Sequence, residues 1–157
     1  MTTTQNAPLL TSEIDIDATP EAVWRVVADP RALGGLSPQV LRTHIVGDRP
    51  VGLGTRMVNL NRRGLLVWPT RAKVVRFEPS KEFAFRVKDN AAIWSFSLSP
   101  NGSGGTTVVH RREAPDGTTQ VSRTLQDKVL GGVESFDREL QAGMAQTLSN
   151  LKSLLER

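Results

Sequence analysis

The chain has 157 residues, of which 38% are hydrophobic and 23% are charged, a balance typical of a single globular domain. It contains no cysteine, which excludes disulfides, thiolate nucleophiles and cysteine-based metal sites. The net charge of +4 comes from 20 basic and 16 acidic residues spread along the sequence. Because no basic block stands beside stacking aromatic residues, we do not expect a nucleic acid as a partner.

The N-terminus, MTTTQNAPLL, lacks the basic region and the long apolar region of a signal peptide. No apolar run approaches the ~20 residues that are needed to cross a bilayer. We therefore expect a cytoplasmic protein without an integral membrane segment. We also expect one domain over residues 1–157, with 1–8 as a flexible tail.

The first predicted element is a half-buried strand in LLTSEIDIDA, where Ser12, Ile14 and Ile16 alternate with acidic residues. A short helix follows in ATPEAVWRVVADP. Thr19 is its N-cap and Pro20 takes the first helical position, where a proline is tolerated best. The next stretch, RALGGLSP, is predicted to be a second short helical turn or a loop.

Six further strands are predicted near residues 40–46, 55–62, 65–77, 82–88, 91–99 and 106–114. Turn-forming sequences such as NRRG, EPSKE and SPNGSGG separate them, and short turns of this kind indicate an antiparallel meander. The segment APDGTTQVSRTLQDKVLGG is expected to be irregular. A long amphipathic helix from about Val133 ends the chain.

This order of elements predicts an α+β fold. Seven strands form one curved antiparallel sheet wrapped around the long C-terminal helix, and two short helices lie between strands 1 and 2. The two-residue period of the strands then assigns each side chain to one face of the sheet.

The inward face of the predicted sheet is mostly aromatic and aliphatic, but it also carries polar groups. A dry core would leave such groups unsatisfied, at about 1–3 kcal/mol each, so we predict a cavity between sheet and helix. Gly143 and Thr147 interrupt the apolar stripe of the helix and would leave room for it. The predicted ligand-binding residues are Met57, Asn59, Asn61, Trp68, Thr70, Phe83, Phe85, Trp94, Phe96, Val108, His110, Arg112, Leu140, Gly143, Met144 and Thr147.

Several of these assignments have a purely structural alternative. Gly143 could serve only to let the helix approach the sheet closely. The aromatic residues could simply fill the core, and His110 could lie at a strand end with its ring in solvent.

The third strand allows two orientations. If it carries a bulge, Asn59 turns outward and Val58 and Leu60 join the core. Otherwise Val58 and Leu60 face outward and form, with Leu65 and Val67, an exposed apolar patch of the kind that marks a dimer contact.

Stretches along the whole chain resemble a known superfamily. They are, in order, SEIDIDATPEAVWRVVADP, GTRMVNLNRRG, FEPSKEFAFRV, AIWSFSLSPNGSGGTTV and AGMAQTLSNLK. From about Leu9 to Glu156 the chain resembles the START-related SRPBCC superfamily, which has the helix-grip fold. In particular it is similar to the bacterial polyketide cyclase/dehydrase and lipid-transport family. The resemblance implies a hydrophobic cavity that binds lipids, sterols, polyketides or similar molecules.

One segment departs from that family. Relatives often carry a tryptophan just before the Ser-Pro of the second short helix, where this chain has Gly34-Gly35-Leu36-Ser37-Pro38. The segment usually borders the cavity mouth, so the difference predicts a wider or more mobile entrance.

No metal or cofactor is expected. The two histidines, His44 and His110, do not have the spacing of metal ligands. The nucleophile motif GxSxG is absent, and neither GLGTR nor GSGG leads into a helix as a phosphate loop does.

Three functions remain open from the sequence. A carrier or sensor would bury a small hydrophobic molecule and orient its polar end with side chains of the wall. A polyketide cyclase or dehydratase would use His110 as its base, with Arg112 and Asn61 as donors to the enolate oxygen. Glu113 or Asp127 beside His110 would favour that enzyme. A protein-interaction module would use the apolar patch, and the protein is expected to be a monomer or a homodimer.

Overall fold

Seven strands form one antiparallel sheet in the computed structural model, which describes residues 9–89, 91–114 and 133–157. The helices are α1 (Pro20–Val27) and α2 (Pro30–Leu36), between the first two strands, and α3 (Val133–Leu155) at the C-terminus. The strands are β1 (Leu10–Ile16), β2 (Val40–Ile45), β3 (Arg56–Arg63), β4 (Leu66–Glu78), β5 (Glu82–Val87), β6 (Ile93–Pro100) and β7 (Thr106–Glu113).

The arrangement confirms the predicted α+β helix-grip fold. In the sheet order β1-β7-β6-β5-β4-β3-β2, the strands from β2 to β7 are a simple meander and β1 pairs with β7. Since β1 and β2 lie at opposite edges, the two short helices cross between the edges. RALGGLSP contributes to a true helix, α2. The segment 115–132, predicted to be irregular, and the predicted tail at 1–8 lie outside the described residues.

The two short helices begin at the caps that the sequence predicts or permits. The Thr19 hydroxyl accepts from the backbone N–H of Ala22 at 3.2 Å, and the Asp29 carboxylate accepts from that of Arg31 at 3.1 Å. Each cap precedes a proline at the start of the helix, where the missing N–H has no carbonyl to reach. The sequence Ala-Asp-Pro therefore ends α1 and starts α2 in one step.

The hydrophobic core lies under α1 and the C-terminal half of α3. Leu148 and Leu151 of α3 are fully buried in it. Beneath α1, the rings of Trp24, Phe77 and Phe83 pack edge to face with centroids 5.2 to 6.3 Å apart, an arrangement that aromatic rings favour. This half of the concave face is thus filled by side chains.

Hydrogen bonds hold the C-terminal half of α3 in place. The Lys152 ammonium donates to the backbone carbonyl of Asp15 in β1 at 2.8 Å, and the Asn150 amide donates to the carbonyl of Leu36 at 2.9 Å. The second bond also gives a partner to a carbonyl at the end of α2, which the helix itself leaves open. The helix is therefore fixed to one sheet edge and to α2.

Pro69 lies on a local edge of the sheet. It pairs with Leu60 of β3, but β5 pairs with β4 only from Ala72 to Glu78, so β4 extends beyond its other neighbour at Pro69. An edge suits a residue that cannot donate a ladder hydrogen bond. The irregularity of β4 falls further along, between Val74 and Arg76.

Among the described residues, none of the helices combines the length and the apolar character that crossing a bilayer requires.

Truncation of the core should be costly. Phe83 has no exposed surface, so Phe83→Ala should lower the free energy of unfolding by about 3–5 kcal/mol through lost burial and a residual void. Leu154→Ala, at a partly exposed position of α3, should cost less than about 1 kcal/mol. Urea denaturation measures both, and a loss below about 1 kcal/mol for Phe83→Ala would contradict this view of the core.

Candidate functional site

A cavity of about 190 Å³ lies between the concave face of the sheet and the middle of α3. Gly143, Met144 and Thr147 of α3 line it from above, one turn before the helix residues that enter the core. Leu140 also lines the cavity. It packs with Leu66 and Trp94 in a small cluster that is separate from the main hydrophobic core. The helix therefore covers the cavity with its middle turns and the core with residues that extend further toward its C-terminus.

All but two of the residues predicted from the sequence line this cavity. The two exceptions, Phe83 and Val108, face the same side of the sheet but lie in the core, without exposed surface, because α1 and the C-terminal half of α3 cover them. The lining residues from the prediction are Met57, Asn59, Asn61, Trp68, Thr70, Phe85, Trp94, Phe96, His110, Arg112, Leu140, Gly143, Met144 and Thr147.

The predicted ligand-binding residues leave out one wall of the cavity, although the resemblance to the family places residues 34–38 near its mouth. Thr43 belongs to this wall and lies between the exposed Arg42 and His44, so the alternation within β2 did carry a signal for it. The residues from α2 carried none, because a helix of seven residues shows too little periodicity. The additional lining residues are Pro30, Leu33, Gly34, Ser37, Gln39, Val40, Thr43, Val87 and Ala92.

The structure settles which face of β3 is inward. Met57 and Asn59 are buried and line the cavity, whereas Leu60 is exposed and Val58 is partly buried. The register shift between β2 and β3 lies in β2, so β3 keeps its alternation. The outward apolar patch consists of Val58, Leu60, Leu65 and Val67.

The space beside Gly143 belongs to the cavity and does not reflect close contact with the sheet. A Cβ built on Gly143 would meet only the Pro38 ring, at the ordinary van der Waals distance of 3.7 Å. Gly34 is the opposite case, because a Cβ there would overlap the Thr43 hydroxyl. The close contact between α2 and β2 therefore requires a glycine at Gly34, whereas the packing of α3 does not require one at Gly143.

Polar side chains of β2, β3 and β4 form a connected row on the cavity wall. The Thr43 hydroxyl donates to Asn59 Oδ1 at 2.7 Å. The Asn61 amide donates to Thr70 Oγ1 at 2.9 Å and to the backbone carbonyl of Trp68 at 3.2 Å. These groups satisfy one another in part, so the cost of burying them is lower than the sequence alone suggested.

His110 is buried on the opposite wall and not in solvent, since only 5% of it is exposed. Its ring stacks on Phe96 with centroids 3.9 Å apart, and Trp94 lies 5.8 Å away. Nδ1 lies 2.9 Å from the backbone carbonyl of Ser95. A carbonyl can only accept, so Nδ1 carries the proton and Nε2 keeps a lone pair. Burial lowers the pKa of His110 to about 4 and keeps the ring neutral near pH 7.

Arg112 is also buried, with 2% of its surface exposed. Its Nη1 lies 3.2 Å from a carboxylate oxygen of Asp137 on α3. A second ion pair, 2.6 Å long, joins Arg63 of β3 to Glu139 of α3. A buried cation needs such a counter-charge, so α3 both covers the cavity and neutralises its wall.

A family model described as polyketide cyclase / dehydrase and lipid transport matches residues 8–156 of this sequence. The chain belongs to that family. The resemblance of the sequence to this family is thereby confirmed. No curated protein matches the sequence.

Several solved structures of other proteins share the fold of this polyketide cyclase / dehydrase family member. TTHA0849 from Thermus thermophilus has a TM-score of 0.70 at 19% identity, over 95% of this chain and 97% of that one. The di-domain ARO/CYC StfQ from the steffimycin biosynthetic pathway has a TM-score of 0.72 at 14% identity, over 94% of this chain and 50% of that one. The Aha1 dimer from Colwellia psychrerythraea has a TM-score of 0.62 at 19% identity, over 96% and 97%. At these identities the likeness shows the fold alone.

Glu113, one of the two carboxylates whose presence beside His110 would favour an enzyme, is engaged elsewhere. Glu113 lies on the outer face of β7 and binds the Arg76 guanidinium at 2.7 and 3.1 Å, which lowers the pKa of the Glu113 carboxyl. Asp127 lies outside the described residues. Within 9–89, 91–114 and 133–157, no group of three or more His, Cys, Asp or Glu side chains could hold a metal.

Acidification should destabilise this family member through His110. Its pKa falls from 6.5 to about 4 on folding, so the unfolded chain takes up the proton first as the pH drops. The contribution of the neutral ring to stability is complete above about pH 6.5 and is lost toward pH 4, at up to about 1.4 kcal/mol per pH unit. His110→Phe keeps a ring on Phe96 but cannot titrate, so its unfolding free energy should depend less steeply on pH. Urea denaturation between pH 4 and pH 7.5 compares the two, and equal slopes would contradict a buried neutral His110.

Proposed function

We propose that the protein binds a small hydrophobic molecule in the cavity beneath α3 and acts as its carrier or sensor. The cavity is the observation that carries the proposal. Its wall is largely apolar, whereas side chains fill the neighbouring hydrophobic core. Trp68, Phe85, Trp94 and Phe96 supply aromatic surface, and Gly143 keeps the space under the helix open. Membership of a family described by polyketide chemistry and lipid transport supports the same class of ligand.

The size of the cavity favours a compact ligand. A cavity of roughly 150 Å³ admits benzene, so a volume of about 190 Å³ that is also partly open suits a molecule of one or two rings. Each Å² of apolar ligand surface removed from water contributes about 25 cal/mol before the cost of ordering the complex. Asn59, Asn61, His110 and Arg112 are placed to orient a polar end.

A cyclase or dehydratase is the second candidate. His110 and Arg112 share one wall, and StfQ, a protein of similar fold, is named an ARO/CYC. The pKa of about 4 nevertheless makes His110 a weak base, since a general base works best with a pKa near the operating pH. Its Nδ1 bonds to the Ser95 carbonyl and not to a carboxylate that would stabilise an imidazolium. These two features favour binding over catalysis.

A protein-interaction module is supported less well. Such a module would have a filled interior, and the cavity counts against it. The outward patch around Leu65, which is fully exposed, is the surface through which a homodimer would form. The structure of the Aha1 dimer is a precedent for a dimer in this fold.

Filling the cavity from the helix should abolish binding without harming the fold. Gly143→Leu places a side chain in the open space and replaces glycine with a strong helix former, which favours the helix by about 0.5–1 kcal/mol. The dissociation constant for 2-naphthol, a neutral two-ring fluorophore, should rise at least about tenfold, because most of the buried contact is lost.

Ala145→Leu is the matched control, since Ala145 lies on the exposed side of the same helix turn. It should leave 2-naphthol binding unchanged. Fluorescence titration measures all three proteins. Equal affinities for wild type and Gly143→Leu, or no binding by wild type, would contradict the proposed site.

A further inference from the structure

Two polar atoms on the cavity wall have a hydrogen-bonding role that is fixed by neighbouring backbone carbonyls. Both atoms are acceptors. In His110 the bond from Nδ1 to the carbonyl of Ser95 leaves Nε2 unprotonated. No residue in the described part of the chain donates to Nε2. The ring is 5% exposed and lines the cavity, so this lone pair is available to a ligand there.

Asn61 repeats the pattern on the facing wall. Its Nδ2 donates to the carbonyl of Trp68 and to Thr70 Oγ1, and the carbonyl allows only the nitrogen in that position. Oδ1 therefore remains as an acceptor, again without a donor among the residues that the structure describes. Asn61 Oδ1 on β3 and His110 Nε2 on β7 thus both lack a hydrogen-bond donor among the described residues.

We propose that the cavity selects an apolar molecule that bears a hydroxyl group, and that His110 Nε2 accepts the hydroxyl proton. The inference rests on the proposed binding function and names the class of ligand for it. An ether or a ketone cannot donate to Nε2. A carboxylate would bring a second lone pair against it, while the charge of Arg112 is already shared with Asp137.

The surroundings of His110 hold this acceptor in place. Phe96 stacks on the ring at 3.9 Å with an interplanar angle of 10°, and the centroid of the Trp94 ring lies 5.8 Å away. The ring and its lone pair therefore have little freedom to turn. Burial lowers the pKa of His110 to about 4, so the ring remains an acceptor throughout the neutral range.

Two isosteric probes test the inference. In 2-methylnaphthalene a methyl group replaces the hydroxyl of 2-naphthol at almost the same volume, and 2-naphthol is a neutral phenol at pH 7. Burial alone would favour the more apolar methyl compound. A hydrogen bond to Nε2, which the methyl compound would leave unpaired, should reverse that order and make 2-naphthol bind about threefold to tenfold more tightly. Isothermal titration calorimetry gives both constants.

Variants assign the effect to one atom. His110→Phe keeps the stack on Phe96 and removes the acceptor, so the preference for 2-naphthol should vanish or invert. His44→Phe is the matched control, since His44 is exposed on β2 outside the cavity, and it should keep the preference. If His110→Phe does not fold, the ¹⁵N resonance of Nε2 in the wild-type protein replaces it. That resonance should move toward lower frequency when 2-naphthol binds.

The outcomes separate the two proposals. If both probes bind and 2-methylnaphthalene binds as tightly or more tightly, the hydroxyl inference is overturned and the binding function stands. If neither binds, the proposed function fails and the inference fails with it. A preference that survives His110→Phe, or an Nε2 resonance that does not move, also overturns the assignment to His110.

Discussion

A single helix, α3, covers a concave sheet face that is larger than the apolar stripe of the helix can fill. The other features of this protein follow from that constraint. The C-terminal half of α3 presents Leu148 and Leu151 and closes the core. The middle of the helix presents Gly143 and Thr147, and the space that they leave is the cavity. Hydrogen bonds to β1 and α2 hold the helix in place, so core and cavity are set by the same element.

Burial of polar groups in the cavity is tolerated because each group has a specific partner. Asn61 and Thr70 bond to each other, His110 bonds to a strand carbonyl, and Arg112 has a carboxylate from α3. The lone pairs that these bonds leave unused also indicate what kind of ligand the wall can bind. His110 Nε2 and Asn61 Oδ1 are acceptors of the wall without a donor among the described residues, which links the chemistry of the wall to the chemistry of the ligand.

The two-residue period predicted the strands and their inward faces well, because it is strict wherever a strand has no bulge. It would also have separated His110 from Glu113, which are three residues apart and so face opposite sides of β7. It placed Phe83 and Val108 at the cavity because alternation tells the face of a sheet but not which helix covers each position. The wall from α2 depends on the close approach of Gly34 to Thr43, a tertiary contact that leaves no pattern in the sequence.

If the space beneath Gly143 is a cavity, an apolar molecule should be able to enter it. Diffraction from crystals pressurised with xenon tests this directly, because xenon enters apolar cavities that side chains do not fill. We expect a xenon site between Gly143 of α3 and the rings of Trp94 and Phe96. Side chains packed across that space, with no xenon between helix and sheet, would contradict it.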